Sequence, residues 1–409
     1  MQTVALDIGT SKIKAIVADI KGDGRIELKG VIKTPVSGMR KGEAANVDDV
    51  VDSLKKAFEE IRQISKPALK NILVNVGGAN VKVQNSKGIV AVSRADSEIY
   101  SEDVDRVVKA SQSVNIGLNR MILHTLTKEF LVDGIGDISD PLGMTGNRLE
   151  VNSLIIDAFR PAVLNVMKSV EEAGGKIESL FYSPLASARA VLTKAQKELG
   201  VMAIDLGFGT AGMCVYEEGK LEAAKVFPVG SGNATNDLAI GLKCPIDVAE
   251  TIKTSFGSAA SKGISGKEKI NLGEISEDSD SNVSRRFISE IIEIRLAEIF
   301  EFIDNELKLI GKSGRLPAGA VITGGGAKMP ELAELAKREL KIPVQTGVPD
   351  LSKLEIKEGE SFLNLEDPEF SASVGMLLWE GDQRAKESDW SPVQLKTGKL
   401  SRLLKSFLP

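Results

Sequence analysis

Asp7 closes an apolar run, Val4-Ala-Leu-Asp-Ile-Gly-Thr-Ser-Lys12, and the run Met202-Ala-Ile-Asp-Leu-Gly-Phe-Gly-Thr210 repeats its pattern around Asp205. Each reads as a strand that ends in Asp, a hydrophobe and Gly. Each then turns at once into a second apolar run, Ile13 to Ile20 in the first copy and Ala211 to Tyr216 in the second. Both are therefore expected to be hairpins with small residues at the tip. Glycine at a tip lets backbone N–H groups approach an anion closely, and Thr10, Ser11 and Thr210 add hydroxyl donors. A carboxylate cannot bind phosphate itself. Asp7 and Asp205 can hold Mg²⁺ through water and so bridge to phosphate. Two such tips facing each other, Gly9-Thr10-Ser11-Lys12 and Gly207-Phe208-Gly209-Thr210, would clamp the phosphates of a nucleotide.

A repeat at this separation implies two related halves. A third stretch, Ala320-Val-Ile-Thr-Gly-Gly-Gly-Ala-Lys-Met-Pro330, is a buried-strand run followed by Gly324, Gly325, Gly326 and a proline that can open a helix. In third position after two phosphate tips, the glycines suit a loop on the nucleoside side. This trio, in this order, resembles the actin, sugar-kinase and 70-kDa heat-shock protein ATPase superfamily. The resemblance implies ATP and Mg²⁺ as ligands. It also implies an α/β, actin-like two-lobed fold, with duplicated mixed sheets flanked by helices. In such folds a Glu and a Lys one helical turn apart flank the adenosine, and Glu250 and Lys253 match that pattern. Lys328 matches a position near adenine. Ser183 departs from the pattern: related ATPases carry Glu or Gln near this point to orient the attacking water, and Ser cannot serve as a comparable base. Slow hydrolysis is expected, with the nucleotide mainly structural.

The composition, 42% hydrophobic and 27% charged over 409 residues, fits a globular protein with a sizeable, mostly aliphatic core of roughly two to four domains or subdomains. The sequence opens on a strand-like run and has no apolar run near 20 residues, so neither a signal peptide nor a spanning helix is expected. His124 is the only histidine, which argues against a Ser-His-Asp hydrolase or a His-based metal site. Cys214 and Cys244 are expected to be reduced bystanders. The net charge of −5 is uneven, because residues 396–409 carry four basic groups and no acid. An acidic body disfavours nucleic acid, and a basic end suits a membrane surface or a protein partner.

Along the chain, Asn46 is placed to cap a helix whose apolar positions run from Val47 to Ile61. Ile72–Val76 is a buried strand. From Lys82 to Phe159 the texture becomes a small α+β unit: short strands broken at 85–88, a helix over 102–114 capped by Ser101, and strands over 121–131 and 148–156. Ser183–Leu192 is a helix rich in small residues, suited to close packing. Helices follow over 233–241 and 247–256, then a polar stretch expected to hold strands over 257–282, and a long helix over 284–309. Ala372–Trp379 reads as the last helix of the body, and Glu380–Gly398 as a tether.

The inserted unit, and above all Val132–Glu150, resembles the subdomain peculiar to the FtsA family of bacterial cell-division proteins. Ser37-Gly-Met-Arg-Lys-Gly42 and the basic C-terminal end resemble that family too. The resemblance implies an actin-like protein that binds ATP, assembles with itself into filaments, and tethers the tubulin homologue FtsZ to the cytoplasmic face of the membrane at the division site, among other division proteins. The corresponding division of the chain is 1–81 with 160–198 for the first lobe, 82–159 for the insertion, 199–230 with 313–379 for the core of the second lobe, 231–312 for its upper part, 380–398 for a linker and 399–409 for a membrane-targeting helix. An FtsZ C-terminal peptide is expected on the upper part of the second lobe, where Arg286 and Arg295 suit its acidic motif. In the C-terminal end Leu400, Leu403, Leu404 and Phe407 form one apolar stripe flanked by Lys399, Arg402 and Lys405. A PilM-like pilus-assembly adaptor and a sugar or metabolite kinase of the same superfamily remain as alternatives.

Overall fold

The two Asp-bearing runs sit at the centre of two separate sheets. The computed structural model describes residues 1–113, 116–275, 282–356 and 364–389. β1 (Gln2–Ile8) and β2 (Lys12–Ile20) form the first hairpin, and β3 (Ile26–Pro35) continues the meander. A small hairpin, β4 (Met39–Arg40) and β5 (Glu43–Ala44), precedes α1 (Val47–Ser65). The Asn46 side chain caps α1 by accepting from the N–H groups of Asp48 and Asp49 at 3.1 and 3.4 Å. The apolar face of α1, with Val50, Leu54, Phe58 and Ile61, is buried against Val4, Leu6 and Val17 of the sheet. β6 (Ile72–Val76) then adds parallel to β1.

The insertion follows: β7 (Val81–Ala91), α2 (Ser101–Ser111), β8 (Arg120–Val132), β9 (Ile135–Ile138) and β10 (Arg148–Phe159). Its antiparallel sheet runs β7-β10-β8-β9. The break expected at 85–88 is absent, and β7 pairs with β10 without interruption from Val81 to Ala91. Gly88 is there for packing rather than turning: a Cβ on it would lie 2.1 Å from the Val107 carbonyl of α2. The helix also starts one residue early. Ser101 is its first residue rather than its cap, and the Asp103 carboxylate accepts the Tyr100 N–H at 3.1 Å instead.

α3 (Arg160–Glu172), β11 (Ile177–Tyr182), α4 (Ser183–Val191) and α5 (Lys194–Leu199) lead to the second half. There β12 (Val201–Leu206), β13 (Ala211–Glu217) and β14 (Lys220–Phe227) form the second meander. α6 (Ser231–Leu242), α7 (Ile246–Phe256), β15 (Lys269–Asn271), β16 (Asn282–Ser284) and α8 (Arg285–Leu309) build its upper part. The described part of 257–282 is mostly irregular, with one helical turn at Leu272–Glu274 and only Lys269–Asn271 and Asn282 in strands. β17 (Ala320–Thr323), α9 (Leu332–Leu340), β18 (Val344–Thr346), β19 (Leu354–Glu355) and α10 (Ser371–Asp389) complete the chain.

The first sheet has the order β11-β6-β1-β2-β3-β19 and the second β14-β13-β12-β17-β18. In each, an antiparallel meander occupies one side and parallel strands join at the Asp-bearing strand. The sequence repeat is thus a repeat of topology. Between the sheets cross α4 and α10. Ala186 and Ala190 of α4 face the first sheet, while Leu185 and Ala188 face the second. A Cβ on Gly375 of α10 would lie 1.7 Å from the Ala186 carbonyl, so the two helices touch backbone to backbone.

α10 does not stop near Trp379, and Glu380–Asp389 is helical rather than a tether. Asp382 anchors this extension, pairing with Arg189 and Lys353 at 2.7 Å each, while Arg384 and Glu380 pair within the helix at 2.8 Å. Residues 390–398, and the stripe at 399–409, lie outside the described residues. The insertion packs on both halves. Leu154 and Ile156 share a core with Tyr182, Tyr216 and Leu221, and Lys128 and Asp137 form ion pairs with Glu222 and Lys220 of β14 at 2.7 and 2.9 Å.

Candidate functional site

Both hairpin tips are closed by the same short turn. Gly9 N donates to the Lys12 carbonyl at 3.0 Å, and Gly207 N to the Thr210 carbonyl at 2.9 Å. The tips face each other across a cleft of about 1230 Å³, and they touch: a Cβ on Gly209 would lie 2.5 Å from Thr10 Oγ1. The cleft is lined by Asp7, Gly9 to Lys12, Asp205, Gly207 to Thr210, Glu250, Lys253, Gly324 to Gly326 and Lys328. All the residues expected at the phosphate, metal and nucleoside positions are therefore brought to one cavity.

The carboxylates are held firmly. Asp7 is buried; its Oδ1 accepts from Asn75 Nδ2 at 2.6 Å, and its Oδ2 lies 2.6 Å from Lys14 Nζ. Asn75 is anchored in turn, accepting Ile8 N at 2.7 Å and donating to Ser183 Oγ at 3.0 Å. Asp205 Oδ2 accepts the Ser187 hydroxyl at 2.6 Å. Burial raises the Asp205 carboxyl above the ordinary carboxylate range. The Ser187 bond and the Lys14 charge pull against that, and the Asp7 charge adds to it. Such a pair of inward carboxylates gains from a divalent cation, which favours the ionised form of both. Lys14 is raised although burial opposes it, because Asp7 lies beside it and Asp205 and Glu369 add their charges.

The end of the cleft expected to take the nucleoside is more tightly tied than the sequence suggests. Lys253 is almost fully buried and donates to Thr235 Oγ1 at 2.8 Å and to the Ser231 carbonyl at 3.2 Å, with Glu250 at 2.6 Å. Its ammonium also lies 5.2 Å from the centre of the Phe208 ring. Burial lowers its pKa despite Glu250. Lys253 therefore braces α7 on α6 as well as facing the cleft. Lys328 pairs with Asp367 at 2.6 Å and Glu369 at 3.3 Å. Glu369 also binds Lys33, and its carbonyl accepts from Lys14 Nζ at 2.7 Å. It thus links strands of the first sheet to the glycine loop of the second.

Four residues of this site escape the sequence reading: Lys14, Asn75, Ser187 and Glu369. Lys14 and Asn75 had a signal, since each is a polar residue inside an otherwise apolar run. Of the two arginines expected on α8, Arg295 is held by Asp237 at 2.5 Å and by Glu298 at 2.6 Å, while Arg286 pairs with Glu290 at 3.0 Å on the exposed face. Neither lines the cleft itself, although Ile292 and Leu296 of the same helix do.

With this geometry established, comparisons place the chain among known proteins. Residues 202–375 match the model of the cell division protein FtsA, and residues 78–157 match the SHS2 domain inserted in FtsA. The cell division protein FtsA of Pseudomonas aeruginosa is 34% identical over 376 residues, covering 92% of this chain and 88% of its own length. The chain belongs to the FtsA family. Structures similar in fold agree with an actin-like architecture. The PilM–PilN type IV pilus biogenesis complex gives a TM-score of 0.63 at 17% identity, covering 93% of this chain and 98% of the other. MreB 5 of Spiroplasma citri, solved bound to AMPPNP, gives 0.55 at 13% identity, covering 95% and 98%. As an FtsA-family member the chain is an actin-like cell-division protein. No helix among the described residues is long and apolar enough to cross a membrane.

Proposed function

We propose that this FtsA-family chain binds Mg-ATP in the cleft between its two sheets, and that the nucleotide sets how the lobes close and hence how the chain polymerises. The observation that carries this reading is the pair of touching glycine tips above two anchored carboxylates. The cradle fits the group. Side chains are excluded by geometry at Gly9, where a Cβ would lie 2.8 Å from the Lys12 carbonyl, and at Gly324, where one would lie 2.4 Å from Asp205 Oδ1. Asp7 and Asp205 would hold the cation through its waters. Gly9 to Lys12 and Gly207 to Thr210 would bind phosphate oxygens, and Glu250, Lys253, Lys328 and Gly324 to Gly326 the nucleoside. When bound, the cation supplies charge neutralisation between the two carboxylates and the phosphates. A similar fold solved with AMPPNP supports a nucleotide of this class. Ser183 binds Asn75 rather than presenting a base, so hydrolysis is slow.

The filament tethers FtsZ to the inner face of the membrane at the division site, alongside other division proteins. The anchor in this reading is the stripe Leu400, Leu403, Leu404 and Phe407 with Lys399, Arg402 and Lys405. The FtsZ peptide docks on the upper part of the second lobe, near Arg286 and Arg295. Membership in a division family favours this over a pilus adaptor or a kinase. Titration calorimetry with Mg-ATP tests the core of the proposal, and heat absent at micromolar protein and millimolar nucleotide would refute it.

A further inference from the structure

The hairpin Met39–Ala44 sits at the mouth of the cleft, and its contacts tie it to the phosphate tip. Its base is pinned by the Gly38 carbonyl, which accepts Ala45 N at 2.8 Å and Asn46 N at 3.0 Å. Its turn residue Gly42 has φ +76° and packs so closely that a Cβ would lie 2.7 Å from the Gly77 carbonyl. Gly42 N donates to Thr10 Oγ1 at 3.2 Å, the one hydrogen bond from the turn to the tip among the described residues. Arg40 and Lys41 are exposed, and neither side chain has a hydrogen-bond or ion-pair partner among the described residues.

Thr10 Oγ1 is thus a junction. It accepts from the hairpin, and it meets Gly209 of the second lobe. Its own O–H has no protein acceptor among the described residues, and Thr10 lines the cleft. A hydroxyl that donates to an anion becomes a better acceptor, because successive hydrogen bonds polarise one another. The Gly42 bond is at the long end of the normal range and the hairpin has two residues per strand, so this anchor is weak by itself.

We propose that the Met39–Ala44 hairpin reports phosphate occupancy of the cleft: an anionic group accepting from the Thr10 hydroxyl strengthens the Gly42-to-Thr10 bond and fixes the hairpin, with Arg40 and Lys41, in one arrangement. This rests on the nucleotide reading of the cleft. It makes a basic surface, suited to an acidic partner, conditional on nucleotide. The relay runs Gly42 N–H to Thr10 O–H to phosphate, and no bond is made or broken covalently.

Hydrogen exchange of the Gly42 amide tests it in the native full-length chain, with and without saturating Mg-ATP, with calorimetry run on the same samples. Expected is slowing of Gly42 exchange by about five-fold, the equivalent of one net hydrogen bond, with no matching change at Ala45, whose bond does not pass through Thr10. Tryptic cleavage after Arg40 and Lys41 should slow in parallel. Thr10→Ser keeps the hydroxyl and should keep the effect, whereas Thr10→Val should lose it at nucleotide concentrations giving equal saturation. Calorimetric binding with unchanged Gly42 exchange overturns the relay alone, as does equal protection in Thr10→Val. No calorimetric binding overturns the nucleotide reading, and the relay with it.

Discussion

The Lys14 ammonium lies 2.6 Å from the Asp7 carboxylate, and the two residues are direct partners across the first hairpin. Both side chains are nearly out of contact with solvent, at 13% and 7% exposure. Removing one member of such a pair leaves a buried charge uncompensated, at a cost of about 3–5 kcal/mol. Lys14→Met should therefore lower unfolding stability by that order and weaken Mg-ATP binding strongly. Adding Asp7→Asn should recover part of the stability but not the dependence on Mg²⁺. Urea unfolding and calorimetry on the native chain and the two variants decide this. A Lys14→Met midpoint equal to that of the native chain would show that the pair is not coupled as described.

That pair also marks the limit of what the sequence displays. The Asp-x-Gly tips and the triple glycine are legible because close backbone approach across the cleft demands small residues in a local pattern. The duplicated sheets are legible because the pattern occurs twice. Lys14 was within reach, since a tight turn at Gly9–Ser11 fixes the register that sets it opposite Asp7. Asn75 and Ser187 act on Asp7 and Asp205 from other elements, and only tertiary structure brings them there. Glu369 lies far along the chain from Lys33 and Lys14, in a short polar stretch without periodicity. The supposed break at 85–88 misled for a related reason: Gly88 makes room for α2, and a packing glycine looks like a turn glycine in sequence.

The three glycines of the loop after β17 should not respond alike. Gly324 has φ +84°, and a Cβ there meets Asp205 Oδ1 at 2.4 Å, so Gly324→Ala combines strain with a clash. A loss of about 1–3 kcal/mol is expected. At Gly325 the nearest atom to an added Cβ is Glu369 Cβ at 3.9 Å, so Gly325→Ala should fold normally. Gly325→Asp should also fold, yet lose nucleotide affinity by like-charge repulsion. Thermal melting separates the first from the others, and calorimetry separates the last. Full affinity in Gly325→Asp would place the nucleotide elsewhere.

His124 predicts an acid limit to stability. It is buried, its Nε2 accepts Tyr182 N at 2.9 Å, and its ring lies against Phe181 and Trp379. Burial holds its pKa at about 4, below the ordinary 6.5. The unfolded chain thus takes up a proton, between pH 6.5 and 4, that the folded chain refuses. The stability tied to the neutral ring is complete above pH 6.5 and is lost as pH falls towards 4, a span of about 3 kcal/mol. His124→Gln should be less stable than the native chain at pH 7, with the gap narrowing at pH 5. His124 is the only histidine, so no other imidazole contributes to the difference. A gap that stays constant over this range would contradict the assignment.

Ser183 predicts slow turnover. Its hydroxyl accepts from Asn75 and it lines the cleft, but it offers no carboxylate or amide towards a phosphate. Turnover should fall well below about 10 s⁻¹, the median for enzymes. Phosphate release measured with purified chain and Mg-ATP is the check, and sustained turnover at that median would show that another group serves as base.

The final prediction concerns the C-terminal stripe and the short reach left to it. α10 is helical to Asp389 and anchored through Asp382, so only residues 390–398 separate it from the stripe. Even fully extended, that length spans only about 30 Å. A stripe on a membrane therefore holds the body close to the surface. Leu400, Leu403, Leu404 and Phe407 could give at most roughly 6–12 kcal/mol if fully buried. Ordering about ten residues costs ~10 kcal/mol or more, and each basic residue near an anionic surface returns about 1 kcal/mol. One stripe should thus bind weakly and reversibly, while a filament carrying many should bind tightly through avidity. Attachment should then track polymerisation. Pelleting with anionic liposomes should drop for Leu403→Glu and Phe407→Glu and in high salt, and should rise steeply with protein concentration for the native chain. A protein ending at Gly398 that pellets as well as the full chain would show that the anchor lies elsewhere.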